Sequence, residues 1–185
     1  MAFKRIPMRS IREKYKRFNI ERKWLFLILI IVALSFFIEI WPVIFLIVFC
    51  IANAILLSID RYVNAPIDIE LSTFSAVLLT TKFNISWGIA AAVITKIAAI
   101  IYNRNIRVDH FFMICGYVLA AVFANILRGT PIVLLGIIVT LIVNIYTLFV
   151  SKFITMLSQY EIIMYGATNT LFNIVLFIGF SEFFV

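Results

Sequence analysis

Lys96 is the residue in this sequence whose position asks most of its surroundings. It stands in "GIAAAVITKIAAIIY", nine residues past a local break at Lys82–Trp87 and six before Tyr102, in a stretch otherwise fit for lipid. An ammonium group near mid-membrane costs about 3 kcal/mol even on insertion scales, so it is held by a counter-charge, by a water-filled cavity, or by reaching for the interface. Asp68 and Glu70 are the acidic residues closest to it in hairpin order. A structural ion pair, a ligand or ion site and snorkelling are the three readings of Lys96.

Amides form a second set. Asn53, Asn125, Asn144, Asn169 and Asn173 all fall inside apolar stretches, and Asn169 and Asn173 share a helical face with Tyr165. Between membrane helices such amides act as hydrogen-bonding glue or line a polar cavity. Lys96, Asp68 and Glu70 are candidate ligand-binding residues. Catalysis has little behind it. His110 is the only histidine, with Asp109 beside it, and no nucleophile triad, zinc motif or phosphate loop accompanies it. We expect a surface histidine, no enzyme activity, no metal site and no cofactor.

The elements that position these residues are set by composition. Of 185 residues 64% are hydrophobic and 14% charged, far from the roughly 45–50% apolar content of soluble domains. Stretches such as "WLFLILIIVALSFF" and "PIVLLGIIVTLIV" are continuously apolar, whereas a membrane barrel strand alternates over about 10 residues. The fold class is therefore all-α, a polytopic transmembrane bundle. Cys50 and Cys115 lie in apolar segments without ligand spacing and read as small hydrophobes.

The apolar run 24–59 would make a helix of about 54 Å, against a hydrocarbon core of about 30 Å. Glu39 and Trp41-Pro42 in its middle divide it into spans at 24–39 and 42–59. "DRYVNAPIDIE" then leads back into a short polar helix at 68–82, with Pro66 expected in its first turn. "KFNISWG" breaks it, with Lys82 at the interface, and a small-residue helix follows at 87–102. Helices at 111–127 and 132–150 are separated by "RGTP". Residues 151–161 suit a surface segment and 162–181 a last span. The count is seven spans, or six if a paired segment is one broken unit.

Residues 1–23 hold nine basic and two acidic side chains, so this segment carries the whole net charge of +7. Met8, Ile11, Tyr15 and Phe18 give it an apolar stripe at helical spacing. It reads as a basic amphipathic helix on anionic lipid headgroups, or as a solvated tail that fixes orientation. Its abutment on an apolar span speaks for lipid and against nucleic acid. With the N-terminus in the cytoplasm, Arg61, Arg104, Arg107 and Lys152 join these nine inside, while Lys82 and Arg128 lie outside, as the positive-inside rule requires. The expected organisation is an interfacial segment at 1–23 and one transmembrane domain at 24–185, in the cell membrane.

Ala91, Thr95 and Ala99, and likewise Gly116, Ala120 and Ala124, recur every four residues. Such stripes let helix backbones approach closely, either within the bundle or against a partner subunit. The segment "PIDIELSTFSAVLLTTKFNISWGIAAAVITKIAAIIYNRN", with "FFMICGYVLAAVFANIL" after it, resembles the middle of two related families. These are the substrate-binding subunits of energy-coupling-factor vitamin transporters and rod-shape-determining protein D. The shared pattern, over residues 60–130, is a short helix, a break and a small-residue helix with a glycine just after the break, here Gly88. The chain departs from the transporter subunits in lacking a small-residue stripe on its first helix. The resemblance implies capture and translocation of a small molecule together with membrane subunits or an ATPase module, with a ligand-binding cavity lined from the later helices by Asn125, Asn169 and Asn173. The alternative it implies is a non-transport scaffold with a filled interior.

Overall fold

A computed structural model describes residues 23–30, 32–33, 39–63, 66–104 and 106–184. The basic segment 1–22 and parts of the predicted span 24–39 lie outside the described residues. The chain divides into two compact units, Met1–Ile40 and Trp41–Val185. In the first, residues 23–30 and 32–33 are helical, with Trp24 to Ile30 exposed.

Six helices follow: α1 Ile40–Val63, α2 Ser72–Lys82, α3 Ile85–Asn103, α4 Asp109–Ile126, α5 Ile132–Phe153 and α6 Gln159–Phe184. Among the described residues there are no strands, and five helices, all but α2, are long and apolar enough to cross a membrane. The protein is a multi-pass helical membrane protein. The exposed side chains of these helices are largely Ile, Leu, Val and Phe, the inverse of a soluble surface and the composition lipid requires.

The short helix α2 is the centre of the second unit. Every residue from Ser72 to Thr80 is buried, and α3, α4, α5 and α6 all pack on it. Phe74 meets the Phe49 ring of α1 edge-on at 5.9 Å and the Phe177 ring of α6 at 4.9 Å. Its hydroxyls are mostly turned back onto its own carbonyls: Ser75 on Ser72, Thr80 on Ala76, Thr81 on Val77. A helix this polar is tolerated because protein surrounds it.

Only Phe83 and Asn84 separate α2 from α3, and Asn84 caps α3 by accepting from the Trp87 amide at 3.1 Å. Asn supplies the acceptor that the first turn of a helix lacks. The hairpin is tight because Gly88 has no Cβ. One placed there would lie 1.7 Å from Thr80 Oγ1 and 2.9 Å from the Ala76 carbonyl oxygen. Gly136 plays the same part between α5 and α6, where a Cβ would sit 2.2 Å from the Phe177 ring. At this end of the bundle Lys82 is exposed with its ammonium 5.5 Å from the Phe45 ring. Arg128 donates to the Thr81 and Phe83 carbonyls at 3.3 and 3.1 Å, a cation at the negative end of α2.

Several boundaries differ from expectation. Pro66 to Leu71 are not helical, so α2 starts at Ser72 and Asp68 and Glu70 precede it. The stretch 151–161 does not lie along the surface as one segment: α5 continues to Phe153, residues 154–158 turn, and α6 starts at Gln159. The reason is that α5 and α6 each gain a turn of backbone hydrogen bonding at that end.

Replacing Gly88 by Ala should lower the thermal stability of the detergent-solubilised protein by about 1–3 kcal/mol, the range for overpacking. Gly179→Ala, where a Cβ meets nothing within 4 Å, should leave it unchanged. Equal melting temperatures for the two variants would contradict the close α2–α3 contact.

Candidate functional site

The non-helical segment 66–71 enters the bundle from the end where α1 and α3 finish and α4 starts. Non-helical backbone is tolerated at membrane depth only if protein or a cavity satisfies its polar groups, and neighbouring helices do so here. The Asp68 amide donates to Thr168 Oγ1 of α6 at 2.9 Å, and the Leu71 amide to Asn53 Oδ1 of α1 at 2.7 Å.

Glu70 sits where the segment becomes α2. Its carboxylate accepts from Lys96 Nζ of α3 at 2.5 Å, from Tyr117 Oη of α4 at 2.8 Å and from Ser72 Oγ at 2.6 Å. Glu70 and Lys96 are each 1% exposed. Asn53 Nδ2 donates to Ser72 Oγ and the Thr95 carbonyl at 3.1 and 3.3 Å. The Lys96 ammonium also lies 5.8 Å from the centre of the Tyr117 ring. A buried ion pair is tolerable only when further hydrogen bonds fill its remaining valences, and Ser72 and Tyr117 do this for the carboxylate. Of the three readings of Lys96, the ion pair with Glu70 is present, and at 1% exposure the ammonium does not reach for the interface.

Below this network, toward the same end, a cleft opens with about 730 Å³ of empty space including its mouth. Ile67, Asp68 and Ile69 form one wall, Lys96 the floor, and Arg107, Asp109 and His110 the rim between α3 and α4; Tyr146, Ser151 and Tyr165 face them from α5 and α6. Arg107 and Asp109 pair at 2.7 Å and remain partly exposed. His110 is 6% exposed and its Nδ1 has no hydrogen-bond partner. The expectation of a surface histidine is therefore corrected: the first turn of α4 carries it inward.

Asn169 donates to Asp68 Oδ2 at 2.9 Å, and Asn173 to the Asn169 carbonyl and Oδ1 at 3.0 and 3.3 Å. Asn169 thereby ties α6 to the wall of the cleft, and Asn173, one turn on in the same helix, holds the Asn169 amide. Asn125 is not brought to the site. It lies near the opposite end of α4, where its carbonyl accepts from the Arg128 amide. Both small-residue stripes are buried in the chain's own bundle: Ala91, Thr95, Ala99, Ala120 and Ala124 are each 0% exposed, and Gly116 is buried against Tyr146. They serve internal packing.

Sequence reasoning missed Tyr117, Ser72, Tyr146 and Arg107 as members of the site. Tyr117 follows Gly116 of a small-residue stripe, and a tyrosine inside a span needs a partner for its hydroxyl, a signal that marks it as buried without naming the partner. Arg107 stands in a turn that reads as interfacial charge.

Glu70→Gln and Lys96→Met, each alone, should destabilise the protein by about 3–5 kcal/mol, because each leaves a buried charge uncompensated. The double substitution should recover most of that loss. Thermal unfolding of the four species in one detergent measures this, and strict additivity would mean the two side chains do not act as a pair.

No protein-family model, curated protein or solved structure matches this chain.

Proposed function

We propose that this protein is a small-molecule-binding membrane subunit, which captures its ligand in the cleft at the α3–α4 turn and works with partner membrane subunits or an ATPase module. The cleft carries the reading. It brings acidic, basic, imidazole and phenolic side chains from five elements around one space, the composition of a site in which a few polar groups fix orientation. Half-length helices meeting non-helical backbone inside the bundle are also what transporters use to build midplane sites. A scaffold with a filled interior has no use for such a space. The resemblance to energy-coupling-factor substrate-binding subunits points the same way.

The proposed setting is the cell membrane, with the cleft opening to the cytoplasm. The end bearing the cleft carries Arg104, Arg107 and Lys152, the other Lys82 and Arg128, and the excess of basic residues belongs inside. Segment 66–71 and α2 together make one crossing, so α1 to α6 supply six, and residues 24–39 a seventh. Residues 1–23 then lie at the cytoplasmic surface among anionic headgroups.

Two experiments test this. In a variant freed of Cys50 and Cys115, a cysteine at Met156 should react with a membrane-impermeant maleimide only after cell lysis, and one at Gly129 in intact cells. The reverse pattern would invert the orientation. Native mass spectrometry of the protein in mild detergent should reveal a stoichiometric small molecule, lost in Asn169→Ala or when Met113→Trp fills the cleft. A bare protein accompanied by a co-purifying polypeptide would favour the scaffold.

A further inference from the structure

His110 lines the cleft with a ring nitrogen that the fold leaves unpaired. Among the described residues, four buried side-chain polar atoms have no hydrogen-bond partner: Thr73 Oγ1, His110 Nδ1, Thr140 Oγ1 and Asn173 Oδ1. Of these four residues only His110 belongs to the lining of the cleft. It is 6% exposed, and a buried polar atom without a partner costs stability. An apolar side chain of similar size would escape that cost. Packing therefore does not account for an imidazole here, whereas a group that enters the cleft can complete it.

The charged groups around the cleft are already engaged. Arg107 holds Asp109 through two contacts, Nη2 to Oδ2 at 2.7 Å and Nε to Oδ1 at 3.1 Å. Lys96 is held by Glu70. Asp68 accepts from Asn169 at 2.9 Å and has a further interaction besides. A ligand with a net charge would have to break into one of these arrangements or stay uncompensated in a buried site, and both are costly. Much of the remaining lining is apolar, with Ile67, Ile69, Phe112 and Met113 among it.

We infer that His110 is the recognition residue of this site, and that its ligand is an uncharged, mainly apolar molecule whose hydroxyl, carbonyl or amide group hydrogen-bonds to Nδ1. This rests on the cleft being a ligand site. A ring nitrogen donates or accepts according to its tautomer, so each of those groups can pair with it. One such bond orients the ligand, and its loss weakens binding about tenfold. Until a ligand pairs with it, the nitrogen lowers the stability of the fold, the trade that binding groups commonly make.

The chain has a single histidine, so isotope labelling of imidazole nitrogens in the full chain, in nanodiscs and with any histidine tag removed, reports on His110 alone. Three probes share one body: phenylbutanol, phenylbutyrate and phenylbutylammonium. The alcohol should shift the Nδ1 resonance saturably and, by equilibrium dialysis corrected with empty nanodiscs, bind about tenfold tighter than either ion. His110→Leu should weaken the alcohol about tenfold while melting at the same or a higher temperature. His110→Asn, whose amide sits near the place of Nδ1, should restore most of the binding. Ions that bind as tightly as the alcohol would overturn the uncharged class. Equal binding of the alcohol to the wild type and His110→Leu would overturn His110 as the anchor, and a lower melting temperature of that variant would make the imidazole a structural group. Failure of the alcohol to bind the wild type would overturn the inference. Met113→Trp judges the cleft separately: a molecule retained through purification of the wild type and lost in that variant would keep the cleft as a ligand site, and with nothing retained both readings would fall.

Discussion

The structure depends on six residues that are not helical. Pro66 to Leu71 run into a bundle of apolar helices, where each backbone amide and carbonyl left without a partner costs several kcal/mol. The neighbouring helices are built around that demand. Asn53 on α1 accepts from Leu71, Thr168 on α6 accepts from Asp68, and Asn169 holds the Asp68 side chain. Glu70 adds a charge to the same segment, and Lys96, Tyr117 and Ser72 complete its coordination. Remove the segment and these polar side chains have no reason to be inside.

The cleft follows from the same constraint. A helix with its side chains is about 10 Å across and fills that width evenly along its length, whereas a short non-helical segment does not. Where α2 fills the middle of the bundle, the core is closed: Ala76, Val77, Leu78 and Leu79 are fully buried. Toward the other end the position is taken by 66–71, which is too thin to fill the same ring of helices. The space left over is lined by Ile67, Asp68 and Ile69. The half-helix and the cavity are thus two consequences of where α2 starts.

Much of this was legible in the residues. Continuous apolar runs, the "KFNISWG" break, "RGTP" and the small-residue stripes mark the long helices, because each is a local signal whose meaning survives in any context. Pairing of Lys96 with Glu70 was legible from depth along antiparallel elements. The start of α2 was not. Residues 66–71 have no strong helix breaker after Pro66, and what keeps them out of the helix is the set of partners on α1, α3, α4 and α6, which lie up to 101 positions away in the chain. The burial of His110 and the membership of Tyr117 share that cause. Asn125 misled because an amide at helical depth looks the same whichever way it faces.

Lys96 belongs to both halves of the molecule. Its ammonium is held by Glu70 and its side chain forms the floor of the cleft. In a low-dielectric interior a charge placed in the cleft acts on that ammonium with little screening, and Lys96 is joined through Glu70 to the backbone position at which α2 starts. A neutral or zwitterionic group leaves the pair undisturbed. A net anion would compete with Glu70 for Lys96 and weaken what holds segment 66–71 to α3 and α4. Lys96 therefore ties the start of α2 to the charge of whatever occupies the cleft, and its pairing with Glu70 is the physical reason the interior tolerates a lysine.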